Sequence, residues 1–459
     1  MFKLICFCFL IFSASGFFGQ NISKKDALTD LHFLNEAVIN GHPVNYAEKG
    51  KFNINNLITT VSNLKEDSFS VIAYRFYLGN ALQQIGCVHT SIVKNPLLEK
   101  QRRPVYFPLK VVCLNGKLYV AGQSTGKFKE IEGKEIIAVN TEPAEKIVAS
   151  LLSYSASDGG GTAFAKESVN RILPALLSLY FNYSKEYSVK FTDREIVLAE
   201  SEKNTASVAG ISNAVSLLEN NTNRYYIKDS IAVIKLTGFS KSDVSFFNKV
   251  FQEIDKTKIK NLVIDLRGNT GGNRKAAVSL TKHLVDSAFS YSILQPKLKT
   301  GKYLNGKGKF FLFLSKLKYN VGDIFKGRKT KLGREFRYKY SPAKNPFNGK
   351  VFVITDGLTV SASTMVTSWL KQSGKAVFVG RQSGGGFNGN NGGSFPLLTL
   401  PFSKTVIKFP AYRLILDPNS KQTDGIIPDF VIQTTISDLI NGVDGDLNFI
   451  SDLIKKEKN

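Results

Sequence analysis

Residues 351–363 read Val351-Phe352-Val353-Ile354-Thr355-Asp356-Gly357-Leu358-Thr359-Val360-Ser361-Ala362-Ser363. The opening run of apolar, β-prone residues shows no alternation, which predicts a strand buried on both faces. Asp356-Gly357 marks a sharp turn, and Ser363 to Lys371 is predicted as a helix after it. Strand, turn and helix in this order lift the Ser361 hydroxyl out at the end of a sheet, with backbone amides close by. An ordinary helix N-cap accounts for Ser361 or Ser363 as well. On these residues alone the two readings stay open.

Upstream, Ile231 to Leu236 and Asn261 to Leu266 are also near-continuous apolar runs. The stretch Asp243 to Asp255 between them is predicted as a helix, and Arg274 to Val285 as another. Alternation of this kind predicts an α/β core. The second run leads into Asp265-Leu266-Arg267-Gly268-Asn269-Thr270-Gly271-Gly272. Paired glycines there let two backbone amides face a ligand, and the following helix N-terminus favours an anion or a developing oxyanion. A tight strand-to-helix turn explains the glycines equally well. The spacing is wrong for a phosphate loop.

The chain before this core divides in two. Asp26 to Ile39 carries Leu28, Leu31, Leu34 and Val38 at helical spacing, and Ser68 to Ile85 repeats the pattern until Gly86 stops it. Thr90 to Val93 is β-prone, so His89 lies at a helix-to-strand junction. From Pro104 to about Leu198 short β segments dominate, with one helical stretch, Ala144 to Leu152, and a glycine-rich loop, Asp158 to Gly161. The expected division is residues 1–20 as a secretory signal and 21–103 as a helical region carrying His89. A small α+β module over 104–200 and an α/β core over 224–440 follow.

The signal reading rests on Lys3, the apolar run Leu4 to Phe12 and the small residues Ser13 to Gly16, with cleavage between Gly16 and Gln20. The apolar stretch, which ends at Phe18, is too short to anchor comfortably in a bilayer, so an exported protein, periplasmic or secreted, is expected. Cys87 and Cys113 remain after cleavage, as one disulfide or two free thiols. Scattered histidines and no zinc spacing argue against a metal, and nothing calls for a cofactor. The net charge is +24, and residues 297–344 alone hold 15 Lys/Arg against Asp323 and Glu335, a net of +13. Such a segment attracts anionic surfaces, although a solvated, lysine-rich lid is the favoured reading. No nucleic-acid-binding signature accompanies the charge.

A serine nucleophile needs a base. His32 lies within a helix pattern, His42 in a loop before Pro43 and His283 inside another helix, which leaves His89 among small polar neighbours.

Together these pieces resemble the tail-specific, or C-terminal-processing, serine protease family. The matching elements are Asp265 to Gly272, Ser361 to Ser363, Val379-Gly380, the Leu400-Pro401 step and Gly425-Ile426-Ile427-Pro428-Asp429, all in the family's order. The resemblance implies that Ser361 is the nucleophile and that amides at Gly271, Gly272 and Ala362 form the oxyanion hole. It also implies a crotonase-like α/β catalytic core. In the family's Ser–Lys branch a lysine follows in the glycine-rich turn. That position is Gly386 here, and no lysine occurs between Lys375 and Lys404. Gly86-Cys87-Val88-His89-Thr90 is instead similar to the histidine segment of the branch that includes the tricorn core and the retinoid-binding-protein modules, which makes His89 the expected general base. Cys87 and Val88 depart from that branch's pattern, and Thr364 replaces a frequent glutamate. Asp424 is the candidate to orient His89, and Ser363 is expected to be structural.

The 104–200 module resembles a degenerate PDZ domain through Gly133 to Asn140, without the carboxylate-binding loop. An exported serine peptidase acting on unfolded or tail segments is the expected function. A non-catalytic ligand- or peptide-binding protein that retains the fold is the alternative, and an esterase using the same residues is a third reading.

Overall fold

The computed structural model describes residues 21–44, 54–100, 105–122, 128–202, 217–220, 223–297, 300–322 and 327–457. The signal reading of residues 1–20 lies outside them. The architecture is mixed α/β, with several sheets and helices arranged in more than one packed unit.

The core is a seven-stranded sheet in the order 218–219, 223–228, 231–236, 261–265, 350–355, 376–380, 430–431. From Ile231–Leu236 through Phe430–Val431 every neighbouring pair is parallel. Its central strands are buried on both faces, as their unbroken apolar runs require. One face is covered by the helices Asp243–Thr257, Arg274–Lys282 and Ala362–Ser373, and the other by the C-terminal helix Gly445–Lys456. Asp265 pairs in register with Ile354, so the loops after these two strands leave the same end of the sheet side by side. Loops at the carboxyl ends of parallel strands form the crevice in which α/β folds place their chemistry.

A five-stranded sheet, 327–329, 333–340, 289–296, 412–415, 389–392, stands beside this core. Its inner side shares one hydrophobic cluster with the N-terminal helices Lys24–Gly41, Asn55–Ser62 and Val71–Gln84. The N-terminal region is therefore packed into the C-terminal half and does not stand as a separate core. Buried Asp30 fastens the join: its carboxylate accepts from Tyr74 Oη (2.6 Å) and from the Phe402 and Ser403 amides (2.8 and 3.0 Å). Gly86 ends the third of these helices at φ 62°, as expected of a C-terminal glycine.

The described residues between 105 and 202 form a second core around two small sheets. The expected helix Ala144–Leu152 is present, and Ala163–Arg171 and Leu173–Tyr180 are helices that the sequence reading did not resolve. Ala163–Arg171 buries only Ala165 and Val169, too thin a stripe to register as a period. Cys87 and Cys113 are free thiols. Among the described residues no helix is long and apolar enough to cross a membrane.

Candidate active site

The turn after Lys350–Thr355 is built around the Asp356 carboxylate. It accepts from Leu358 N–H within the turn and from Gly268 N–H of the neighbouring loop, each at 2.9 Å. Burial, reinforced by Glu167, pushes this carboxyl up to about 6 against the opposing Arg381 charge and amide donors. Thr359 Oγ1 donates to Leu266 O (3.0 Å) and Val360 N–H to Asn269 O (3.3 Å), so the two loops are laced together.

Ser361 follows at φ 63°, ψ −116°, a conformation that a residue with a Cβ rarely adopts. It precedes the helix Ala362–Ser373 in the N-cap position, yet its side chain makes no capping bond. The N-cap reading therefore fails for Ser361. Ser363 is fully buried, and its hydroxyl donates to Asn269 O at 2.9 Å, which is the structural role expected of it.

Gly271 lies directly against the serine. A Cβ there would sit 2.6 Å from Ser361 Cβ and 2.7 Å from Ala362 N, so only glycine fits. The amides expected to form the oxyanion hole differ in availability. Gly271 N–H donates to Asn269 Oδ1 (2.9 Å) and is already spent. Ala362 is the first residue of its helix, so its N–H has no acceptor within the helix. Among the described residues Gly272 N–H has no hydrogen-bond acceptor either. Asn269, part of the sequence motif but given no role there, sets this arrangement: its amide also donates to Leu236 O (3.0 Å).

Asp265 and Arg267 serve the scaffold. Arg267 forms ion pairs with Asp265 (2.8 Å), Asp444 (2.8 Å) and Asp446 (2.9 Å), and Lys235 reaches Asp265 at 2.9 Å. Burial alone would raise the Asp265 carboxyl, but the Arg267 and Lys235 charges together outweigh it and hold it well below the usual carboxylate range. This cluster pins the C-terminal helix beneath the sheet end.

His89 reaches the core by long-range contacts. Its following strand, Ser91–Lys94, pairs antiparallel with Val406–Lys408 of the C-terminal hairpin. Its ring stacks on Phe395, with centroids 5.3 Å apart and planes inclined by 19°. Val88 N–H donates to buried Asp158 Oδ1 (2.9 Å), while Gly386 N–H donates to the other carboxylate oxygen (3.2 Å). Asp158 thereby clamps the histidine loop to the glycine-rich turn. That turn packs on the serine loop: Gly385 N–H donates to Thr359 O (3.2 Å). A continuous chain of contacts, Val88–Asp158–Gly386–Gly385–Thr359, thus links the two halves of the site.

Among the described residues no hydrogen bond joins His89 to Ser361. Among the described residues the buried His89 Nδ1 has no hydrogen-bond partner. Burial first, then the Lys408 charge, drives the His89 ring down to about 3, so it is neutral at ordinary pH. The Asp424 carboxylate accepts from Gln382 Nε2 (3.1 Å), and no hydrogen bond or ion pair takes it to His89. Asp424 acts through its backbone: its carbonyl accepts from Phe387 N–H (2.8 Å) and holds the glycine-rich turn.

Gly386 occupies the position of the lysine in the family's Ser–Lys branch. A Cβ there would lie 2.3 Å from Thr423 O, so no side chain fits. His42 is no alternative base, because its Nδ1 accepts from Val44 N–H (3.0 Å) and its Nε2 therefore donates to Thr90 Oγ1 (2.8 Å). Burial pushes the Cys87 thiol up to about 11, so it does not compete as a nucleophile. Among the described residues no cluster of His, Cys, Asp or Glu could hold a metal ion.

Residues 230–432 match the family model described as Peptidase family S41. The carboxy-terminal processing protease CtpB of Bacillus subtilis (strain 168) is 28% identical over 156 residues, which are 34% of this chain and 25% of that protein. The match thus spans about a quarter of the curated relative's length. Among solved structures, mature CPAF aligns over 94% of this chain and 97% of its own, with a TM-score of 0.62 at 14% identity. Mature CPAF complexed with lactacystin aligns over 94% and 98%, again with a TM-score of 0.62 at 14% identity. At that identity the likeness extends to the fold.

Proposed function

From the premise that this chain carries a domain of peptidase family S41, we propose that it is an exported serine peptidase with Ser361 as nucleophile and His89 as general base. The observation that carries the reading is Ser361 itself: a strained, half-buried serine with no capping bond, set against Gly271 and the orphan amide of Ala362.

With Nδ1 sealed, Nε2 is the nitrogen of His89 that would meet the hydroxyl. It takes the proton as Ser361 Oγ bonds to the scissile carbonyl carbon. The oxyanion is held by Ala362 N–H, with Gly272 N–H as second donor. Collapse breaks the C–N bond, and the amine leaves with the proton from the imidazolium. Water then attacks the acyl-enzyme, giving its proton to His89, which returns it to Ser361. The stack on Phe395 and the Asp158 clamp position the ring. Since among the described residues no carboxylate meets Nδ1, the countercharge for the imidazolium is the oxyanion it faces.

Peptide or protein is the substrate class, in keeping with the Bacillus subtilis relative's name. Export is supported by Lys3, the apolar run to Phe12 and the small residues after it. The 105–202 module, read as PDZ-like, offers strand edges on which a peptide can add. The test is labelling with a fluorophosphonate together with hydrolysis of an unfolded polypeptide. Wild type should do both, Ser361→Ala neither, and His89→Ala should lose turnover. Labelling that survives in Ser361→Ala refutes the nucleophile assignment, and a wild type inert to both assays favours the binding-protein alternative.

A further inference from the structure

The helix Gly306–Gly322 is apolar on two opposite sides. With 3.6 residues per turn, Gly308, Leu312, Ser315 and Tyr319 share one face. That face is packed: Leu312 and Tyr319 are buried, Ser315 Oγ donates to Tyr412 Oη (2.9 Å), and the Tyr319 ring lies 5.6 Å from Phe336 and 4.9 Å from Tyr412. Turned away from it are Phe310, Phe313, Leu314 and Leu317, at helical spacing i, i+3, i+4, i+7, with Phe311 farther round, past Lys307 and Lys318. The three phenylalanines are 60%, 62% and 59% exposed in chain order, and Leu314 and Leu317 are 44% and 47% exposed. A helix that has already buried one face gains nothing for its own fold by carrying a second apolar stripe into water.

The stripe is bordered by cations. Lys309 and Lys316 lie on one flank and Lys307 and Lys318 on the other, all exposed. They belong to the 297–344 segment with its net charge of +13, whose strand Gly333–Tyr340 packs against this helix through Phe336. We propose that this helix is a docking surface for an anionic lipid bilayer, lying flat with its phenylalanines in the headgroup region and its lysines on the lipid phosphates. Aromatic and leucine side chains on one face with lysines along both borders are the pattern of an interfacial helix. Lysine stems reach along such a surface while their ammonium groups stay hydrated. A second copy of the chain fits poorly as occupant, because an isologous contact would bring two +13 segments face to face. The proposal does not depend on the peptidase reading, since none of these side chains belongs to the site described above.

The experiment is sedimentation of the purified chain with vesicles of phosphatidylcholine alone and of phosphatidylcholine mixed with phosphatidylglycerol. Wild type should pellet with the anionic vesicles, stay in solution with the neutral ones, and be released by salt. The variant Lys309→Gln with Lys316→Gln should bind about fivefold more weakly for each lysine removed. Phe310→Ser with Phe313→Ser should weaken binding by at least about tenfold, with thermal midpoint and hydrolysis unchanged, since both side chains are solvent-facing. If the phenylalanine variant fails to fold, the lysine variant alone decides. Equal binding to neutral vesicles, no binding to either, or full binding by the lysine variant overturns the proposal. So does concentration-dependent self-association that the phenylalanine substitutions abolish in the absence of vesicle binding.

Discussion

Ser361 and His89 are held in opposite ways. The serine is fixed by its own chain neighbourhood: strand, turn and helix follow within residues 350–373, and the adjoining loop 266–272 comes from the next strand of the same sheet. The histidine sits on a loop between a helix and a short strand. Its place depends on a carboxylate from the middle module, a ring from the C-terminal region and a hairpin pairing across more than half the chain. Local fixation tolerates strain, because the sheet beneath it is rigid. Remote fixation needs every clamp to be satisfied at once. Substitutions at the serine should therefore remove chemistry with little change in stability, whereas those around the histidine should change position, stability and pH response together.

The largest expected effect tests the shared part of the contrast. Ser361→Ala and His89→Ala should each lower kcat for peptide hydrolysis by at least about a thousandfold, and the double variant should lose little more, because the two act as one unit. Additive losses in single-turnover assays would mean that the residues work separately and would dissolve the pairing.

Next comes the scaffold under the serine side. Arg267→Met leaves Asp265 and Asp446 buried without their main partner, so unfolding free energy should fall by about 3–5 kcal/mol. Urea midpoints measure it. A loss below about 1 kcal/mol would show that Lys235 and Arg381 suffice, and that the cluster does not anchor the sheet end.

Asp158→Asn addresses the histidine side. Asparagine offers one acceptor where two amides donate, so Val88 or Gly386 N–H is stranded, at about 1–3 kcal/mol of stability. The pH response separates the two titrating groups. Burial raises the Asp158 carboxyl to about 6, while His89 stays neutral down to about 3. Below pH 6 the protonated Asp158 loses an acceptor and the clamp slackens, so kcat/KM should fall with an acid limb near 6. That limb should vanish in Asp158→Asn, and its persistence would assign it to the Asp356 carboxyl of the serine turn, which burial also raises to about 6. For stability the sign is the reverse. The native state binds this proton more tightly than the unfolded chain, so between about pH 4 and 6 Asp158 favours the native state more as pH falls, by about 1.4 kcal/mol per unit. Comparing the slopes of wild type and variant in urea isolates that contribution.

The contrast also explains what was legible beforehand. The strands at 231, 261 and 351 announce themselves by unbroken apolar runs, and the Ser361 turn by its Asp-Gly step, because local sequence causes them. His89 could be selected by elimination and resemblance, yet nothing local tells how it is held. Asp158 lay in plain view in a glycine loop, but its partners, Val88 and Gly386, are 70 and 228 residues away. Phe395 carries no periodic signal at all. Asp424 is near the right turn and contributes its carbonyl, a backbone role that side-chain chemistry cannot reveal. The Gly306–Gly322 helix was visible as charge only, since exposure of its phenylalanines depends on which face the rest of the fold covers.

The smallest effect is the sharpest test of local strain. At φ 63°, ψ −116° the Ser361 Cβ is crowded, at a cost of about 1–3 kcal/mol, and glycine would relieve it. Against this, glycine gives the unfolded chain more freedom, worth about 0.5–1 kcal/mol. Ser361→Gly should therefore be more stable than wild type by about 1 kcal/mol, and as inactive as Ser361→Ala. The alanine variant keeps the Cβ and should match wild type in stability. The difference between the two variants, read from urea midpoints, isolates the strain with the hydroxyl absent from both. A glycine variant no more stable than the alanine one would mean that the turn relaxes in solution, and that the serine is held no more rigidly than the histidine.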